Sequence, residues 1–60
     1  MQKSEAERLG WLFEFRPRCR MKGRAELRRP DTIIEIQARG DSPRKVTKLL
    51  LDEIERFSEK

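Results

Sequence analysis

The chain has 60 residues, of which 15 are Lys or Arg and 11 are Asp or Glu, with one Cys and no His. A chain this short forms one domain, here residues 1–60, and buries only about 60% of the surface that its unfolded form exposes. The single cysteine excludes an intrachain disulfide, and the lack of histidine removes the usual zinc ligand and general base. We therefore expect no enzyme, catalytic residue, metal, cofactor or small-molecule substrate, and we expect a protein partner or a homodimer to add stability.

Localisation is predicted from the cysteine content and from hydropathy. A lone cysteine without a leader-like segment favours a reducing cytoplasm. Apolar runs such as Leu49–Leu51 are far shorter than the ~20 residues that span a bilayer, so no membrane partner is expected.

The first predicted element is a short helix over Ser4–Leu9. Ser4 and Glu7 have the spacing of a capping box, in which each side chain bonds a backbone N–H near the other residue. Gly10 is a natural helix terminator. A helix of under two turns needs tertiary contacts to be stable.

Alternation of apolar and charged residues from position 11 to position 28 predicts half-buried β-structure. One strand of this length would be unusual, so a turn must interrupt it. Met21–Gly23 suits a three-residue loop in which Gly23 is left-handed, and this loop would place Arg20 opposite Arg24. Cys19 would then lie on the apolar face as a core residue, and Pro17 would put the first strand at a sheet edge or give it a bulge.

A second turn and a third strand follow. Pro30 at the second position of Arg29–Thr32 predicts the turn. Alternation over Thr32–Arg39 then predicts a strand with one apolar face, made of Thr32, Ile34, Ile36 and Ala38.

The last predicted element is a helix over Pro43–Phe57, with Ser42 as its N-cap. One apolar stripe contains Val46, Leu49, Leu50, Ile54 and Phe57. Asp52 and Arg56 are spaced to form an ion pair on the solvent side. Leu51 lies beside the stripe and is the expected exposed apolar residue; with Leu12 and Ile33 on the opposite sheet face, it is a candidate partner contact.

These elements predict an α+β fold: a short N-terminal helix, a three-stranded antiparallel meander, and a C-terminal helix packed on one sheet face. Residues 16–29 carry seven basic residues and one acid, whereas residues 1–15 and 30–60 each carry one more acid than bases. The excess charge would therefore occupy the solvent face of the first two strands. The candidate nucleic-acid-binding residues are Arg16, Arg18, Arg20, Lys22, Arg24 and Arg28, with Arg44, Lys45 and Lys48 at the start of the last helix assisting.

Arginine suits phosphate and base-edge contacts, and like charges on opposing strands cost stability unless an anion neutralises them. These properties favour a non-catalytic protein that binds DNA or RNA through its basic sheet face. An acidic protein partner and a merely solvated face remain alternatives, as does a homodimer without a ligand.

The element order resembles the architecture of double-stranded-RNA-binding domains, which is shared by HicA-type mRNA-cleaving toxins. Leu9-Gly10-Trp11 resembles their glycine–aromatic step into the first strand, and Lys22-Gly23 resembles their loop glycine. This resemblance implies RNA binding. It does not imply cleavage, because Gly23 is followed by Arg24 and Ala25 where that family carries its catalytic His.

A second resemblance is to HicB-type antitoxins, and it covers the last third of the chain. The segment 40–43, followed by Val46, Leu50 and Ile54, resembles their junction and helix. It implies a protein-interaction module, such as an antitoxin-like or accessory subunit that docks through a sheet edge or the Leu51 side of the helix.

Overall fold

The computed structural model describes residues 1–17 and 20–58, with Ser58 described in its backbone alone. The elements in chain order are α1 (Lys3–Arg8), β1 (Trp11–Pro17), β2 (Met21–Arg29), β3 (Thr32–Gly40) and α2 (Pro43–Ser58). The strands form an antiparallel sheet in the order β1-β2-β3, and α2 packs on one of its faces. The predicted α+β meander with helical cover is confirmed. Predictions about Arg18 and Cys19 lie outside the described residues.

The predicted turn at Met21–Gly23 is wrong, because β1 and β2 are joined through residues 18–20. Pro17 lies opposite Met21, and Arg24 lies opposite Glu14 rather than Arg20. Gly23 is instead buried in the middle of β2, where a Cβ would overlap the Val46 side chain and stand 3.1 Å from Leu50 Cδ1. This glycine therefore allows close approach of α2. The true pairing differs from the predicted one by an even number of residues, so each side chain keeps its predicted face.

The core lies between the sheet and α2. Its buried members are Trp11, Ala25 and Leu27 from the sheet, Val46, Leu50 and Ile54 from α2, and Ala6 from α1. β1 lies at a sheet edge, as Pro17 predicts, but it ends at Pro17 rather than continuing to Arg20. The turn at Pro30 and Asp31 is also confirmed, since Arg29 pairs with Thr32 across it.

Exposure of the leucines on α2 differs from the prediction. Leu51 is half-buried and packs against the core, whereas Leu49 is 41% exposed and Phe57 is also exposed. Leu49 and Leu51 flank the buried stripe on opposite sides. The Leu51 side is covered because α1 lies there, where the amino group of Met1 pairs with the Glu55 carboxylate. The hydrogen bond to Glu55 raises the pKa of that amino group.

The helix ends agree with the prediction at three of four tested features. Gly10 terminates α1 with φ of +108°, and Ser42 caps α2 by accepting a hydrogen bond of 3.2 Å from Lys45 N. The capping box at Ser4 is wrong, because α1 begins one residue earlier and its N-cap, Gln2, makes no side-chain bond. Pro43 is the first helical residue, as predicted.

Two further contacts define the helices. Arg56 Nη1 pairs with Glu53 Oε1 at 3.2 Å rather than with Asp52 as predicted, since Glu53 is one turn away on the same side. Lys3 Nζ lies 5.6 Å from the ring centroids of both Phe13 and Phe15, so α1 covers part of β1. Within the described ranges, neither helix has the length and hydrophobicity needed to cross a membrane.

Candidate nucleic-acid interface

Side chains on the sheet face opposite α2, the outer face, form rows that cross all three strands. Each row contains one residue from each strand, because the antiparallel pairing fixes which residues lie opposite one another. Nearest the connection between β1 and β2 is the basic row, made of Arg16, Lys22 and Arg39. The middle row is Glu14, Arg24 and Gln37. The acidic row is Leu12, Glu26 and Glu35.

The middle row is electrostatically compensated. Arg24 Nη2 lies 3.5 Å from Glu14 Oε2, and Arg24 Nη1 lies 4.0 Å from Glu35 Oε2. Gln37 donates a hydrogen bond of 2.7 Å to Glu35. Arg24 therefore has acidic neighbours on both sides.

The acidic row is also balanced by a neighbouring cation. Arg28 Nε lies 3.3 Å from Glu26 Oε2, on the same strand. Arg28 itself lies opposite Ile33, which is 61% exposed, and Leu12 in the acidic row is 62% exposed. This end of the outer face thus combines paired charges with two apolar side chains.

The basic row differs from both, since all three of its members are cations. Directly opposite residues of an antiparallel pair have Cβ atoms about 4.5–5.5 Å apart, close enough for like charges to repel. Arg16 Nε donates a hydrogen bond of 2.9 Å to Glu14 Oε1. Within the described part of the chain, Lys22 and Arg39 take part in no ion pair.

A shallow depression of about 120 Å³ joins the basic row to the middle row. Arg16, Lys22 and Arg24 line it together with Glu14 and other residues of the two rows. Its cationic groups face solvent, since the Arg16 side chain is 69% exposed. The depression can therefore admit a small anionic group such as one phosphate of a polymer backbone.

Three more cations lie at the start of α2; we call Arg44, Lys45 and Lys48 the helix cations. They reach the same end of the sheet because Gly40 follows Arg39 and lets the helix approach. A Cβ at Gly40 would stand 3.5 Å from Lys45 Cγ and 3.2 Å from Val46 Cγ2. The helix cations are all exposed, on the side of the sheet opposite the basic row.

The predicted binding residues therefore separate into groups. Four of them share the outer face, namely Arg16, Lys22, Arg24 and Arg28. Arg24 and Arg28 are paired with acids. Arg20 is exposed just before β2 rather than within a strand, and Arg18 lies outside the described residues.

Arg39 belongs to the basic row, although the sequence pattern did not single it out. A signal for it was present in the chain. The turn at Pro30 and Asp31 pairs Arg29 with Thr32, and counting back from this pair along both strands places Lys22 opposite Arg39. Arg39 also has the outward parity of β3.

Among residues 1–17 and 20–58, no group of three His, Cys, Asp or Glu side chains could hold a metal ion. No protein family, curated protein sequence or solved structure gives a significant match to this chain. The charge arrangement of the outer face is therefore the main guide to function.

Proposed function

We propose that this protein binds the phosphate backbone of nucleic acid through the basic row, without catalysing a reaction and within a reducing cytoplasm. Arg20 and the helix cations assist by adding positive charge at the same end of the molecule. The observation that carries the proposal is the row of three opposed cations, Arg16, Lys22 and Arg39. Among the described residues Lys22 and Arg39 have no acidic partner, and Arg16 shares the single carboxylate of Glu14 with Arg24.

The physical argument rests on the cost of this row. Like charges directly opposite one another on a sheet destabilise it, and the other two rows of the outer face avoid this cost with carboxylates. A bound phosphate would remove the repulsion by taking the place of the missing acid. Two members of the row are arginines, whose planar guanidinium groups bind phosphate oxygens in pairs.

Contacts of this kind position a protein on a nucleic acid but do not read its sequence. We therefore propose binding that depends weakly on sequence. The resemblance to double-stranded-RNA-binding domains supports an RNA ligand within this proposal, but Gly23 lies inside β2 and so does not correspond to the loop glycine of the HicA-type toxins. The proposal accordingly rests on the charges rather than on that motif.

Fluorescence anisotropy tests the proposal with labelled duplex DNA, duplex RNA and single-stranded oligonucleotides over a series of salt concentrations. Three phosphate contacts from the basic row give a slope of log K against log salt of about −3 on duplex DNA, and contacts from the helix cations make it steeper. The absence of binding to all three oligonucleotides at low salt would falsify the proposal.

A pair of double variants locates the binding surface. Arg16→Gln with Lys22→Gln removes two charges from the basic row, while Arg28→Gln with Arg29→Gln removes two charges from the far end of β2. The first double variant should weaken binding and make the salt slope shallower by about 2, since each lost phosphate contact contributes about 1. The second should leave the slope nearly unchanged; equal effects would show that net charge alone governs binding.

Protein interaction is a second candidate function, and the feature that favours it is an open strand edge beside an apolar groove. The groove holds about 350 Å³ and lies between β3 and α2. This candidate agrees with the resemblance to HicB-type antitoxins. Leu12 and Ile33 on the outer face would provide a separate docking patch for such a partner.

A further inference from the structure

Within residues 1–17 and 20–58, no strand pairs with the outer edge of β3. β3 spans nine residues, and its sheet neighbour is β2 on one side alone. Proteins usually protect such an edge with proline, a bulge, a short strand or a covering helix. β1, at the other edge, is shorter and ends in Pro17, but β3 contains no proline.

Beside this edge, α2 packs on the inner face of β3 and leaves a groove along part of it. Ile36 and Ala38 from β3 and Leu49 from α2 form its apolar surface. Its rim contains Arg39, Asp52, Glu53 and Arg56, so both signs of charge are present. An occupant must therefore pair with a strand, cover apolar surface and match a rim of mixed charge.

A second copy of β3 meets all these requirements in one antiparallel arrangement. If a twofold axis passes midway between the two copies of Gln37, these two residues lie opposite each other. Glu35 of each copy then lies opposite Arg39 of the other. Ile36 then lies opposite Ala38 of the second copy on the groove side, and inward and outward faces match. Opposite charges at directly paired positions stabilise an antiparallel sheet.

Neighbouring registers lose this complementarity. A register centred on the two copies of Ile36 would place Arg39 opposite Ile33 of the second copy. A register centred on the two copies of Glu35 would place these two carboxylates opposite each other. Registers in which the axis falls between two successive residues would place inward-facing residues of one copy opposite outward-facing residues of the other. Charge therefore selects the register centred on Gln37.

We propose that the protein forms a homodimer in which two β3 strands pair antiparallel about Gln37, giving a continuous six-stranded sheet. The pairing satisfies the open backbone groups of both edges and covers Leu49, which is 41% exposed in the single chain. The dimer does not depend on nucleic-acid binding. Because it gives Arg39 an acidic partner in the second copy, Arg16 and Lys22 remain as the basic-row cations open to phosphate in the dimer.

Sedimentation velocity without nucleic acid tests the dimer from micromolar to millimolar concentration. The wild type should reach twice the 7.2 kDa mass of one chain. Glu35→Arg and Arg39→Glu should each weaken the dimer roughly tenfold or more, because two attractive cross-strand pairs become two repulsive ones. Each variant should still fold, since within one chain position 35 faces Glu26 and position 39 faces Lys22.

Mixing Glu35→Arg with Arg39→Glu provides the decisive test of the register. A chain with arginine at both positions complements a chain with glutamate at both. The mixture should therefore form a heterodimer at concentrations at which each variant alone is mostly monomeric. The exchanged double variant E35R/R39E should dimerise like the wild type, and Glu7→Arg on α1 is the matched control that should leave the dimer unchanged. A wild type that stays monomeric at millimolar concentration, or a dimer indifferent to Glu35→Arg, would overturn the proposal.

Discussion

Where β2 and β3 pair beneath α2, two opposed residues are small near the basic row, whereas two opposed residues are large at the other end of the sheet. Gly23 and Ala38 lie opposite each other at the first end, and Leu27 and Ile34 lie opposite each other at the second. The outer face also differs between the two ends. The first end carries the basic row, in which Lys22 and Arg39 have no acidic partner among the described residues, and the second carries paired charges with exposed Leu12 and Ile33.

This difference in residue size explains how the cations of the sheet and those at the start of α2 come to lie at the same end of the molecule. Small residues let the first half of α2 approach the sheet closely, and this brings Lys45 against Gly40, at the same end as the basic row but on the other face of the sheet. Large residues at the other end, Trp11 and Leu27, are buried in the core. One end of the sheet therefore serves to position charge and the other to stabilise the fold, and the following variants test this division.

Leu27→Ala should produce the largest loss of stability. Leu27 is only 7% exposed and belongs to the core at the end with large residues. Truncation of a buried leucine costs about 2–5 kcal/mol through lost burial and the remaining cavity. Urea denaturation should show that the free energy of unfolding falls by ~3 kcal/mol. This is a large part of the roughly 3–9 kcal/mol expected for a domain of this length. A loss within the error of the measurement would contradict the core assignment.

Gly23→Ala should produce the next largest loss of stability, and its cause should be overpacking rather than a cavity. The added methyl group overlaps the Val46 side chain, and overpacking of this kind costs about 1–3 kcal/mol. If Val46→Ala is added, the double variant should lose less stability than the sum of the single variants, because the clash is relieved. Additive losses would show that Gly23 does not limit the approach of α2.

Ser42→Ala should have an intermediate effect at the start of α2. Ser42 Oγ accepts the Lys45 N–H at 3.2 Å, and loss of such a cap costs about 1 kcal/mol. Ser4→Ala is the matched control and should change the free energy of unfolding very little, since α1 begins before Ser4 without a side-chain cap. A comparable loss of stability in both variants would show that Ser4 does cap α1, as the sequence pattern predicts.

The pair of serines illustrates which features the sequence could predict. Alternation determined the face of almost every described strand residue, and Ser42 with Pro43 located the start of α2. Both patterns depend on local geometry. The capping box at Ser4 satisfied the same local rules, but contacts of the first residues with α2 shifted the helix start.

Gly23 shows where local rules are insufficient. A glycine has the same sequence signal whether it provides a turn or space for a packed helix. Its role depends on the distance to Val46, which is twenty-three positions away and reaches Gly23 only in the folded chain. The register of β1 and β2 was missed for this reason, and with it the compensation of Arg24 by Glu14. The basic row, by contrast, could have been completed with Arg39 by counting from the turn at Pro30.

Arg24→Gln should have the smallest effect and should define the boundary of the basic row. Arg24 and Lys22 are two positions apart on the outer face of β2, and each change to Gln removes one positive charge. Arg24 is held by Glu14 and Glu35, at 3.5 and 4.0 Å, so its loss should cost about 0.5 kcal/mol of stability. Carboxylates contact both terminal nitrogens of Arg24, whereas Arg16 is bonded to its carboxylate through Nε. The salt slope of nucleic-acid binding should therefore hardly change in Arg24→Gln, whereas Lys22→Gln should make that slope shallower by about 1. If both variants alter the slope equally, the phosphate contacts extend into the middle row and the carboxylates there do not limit them.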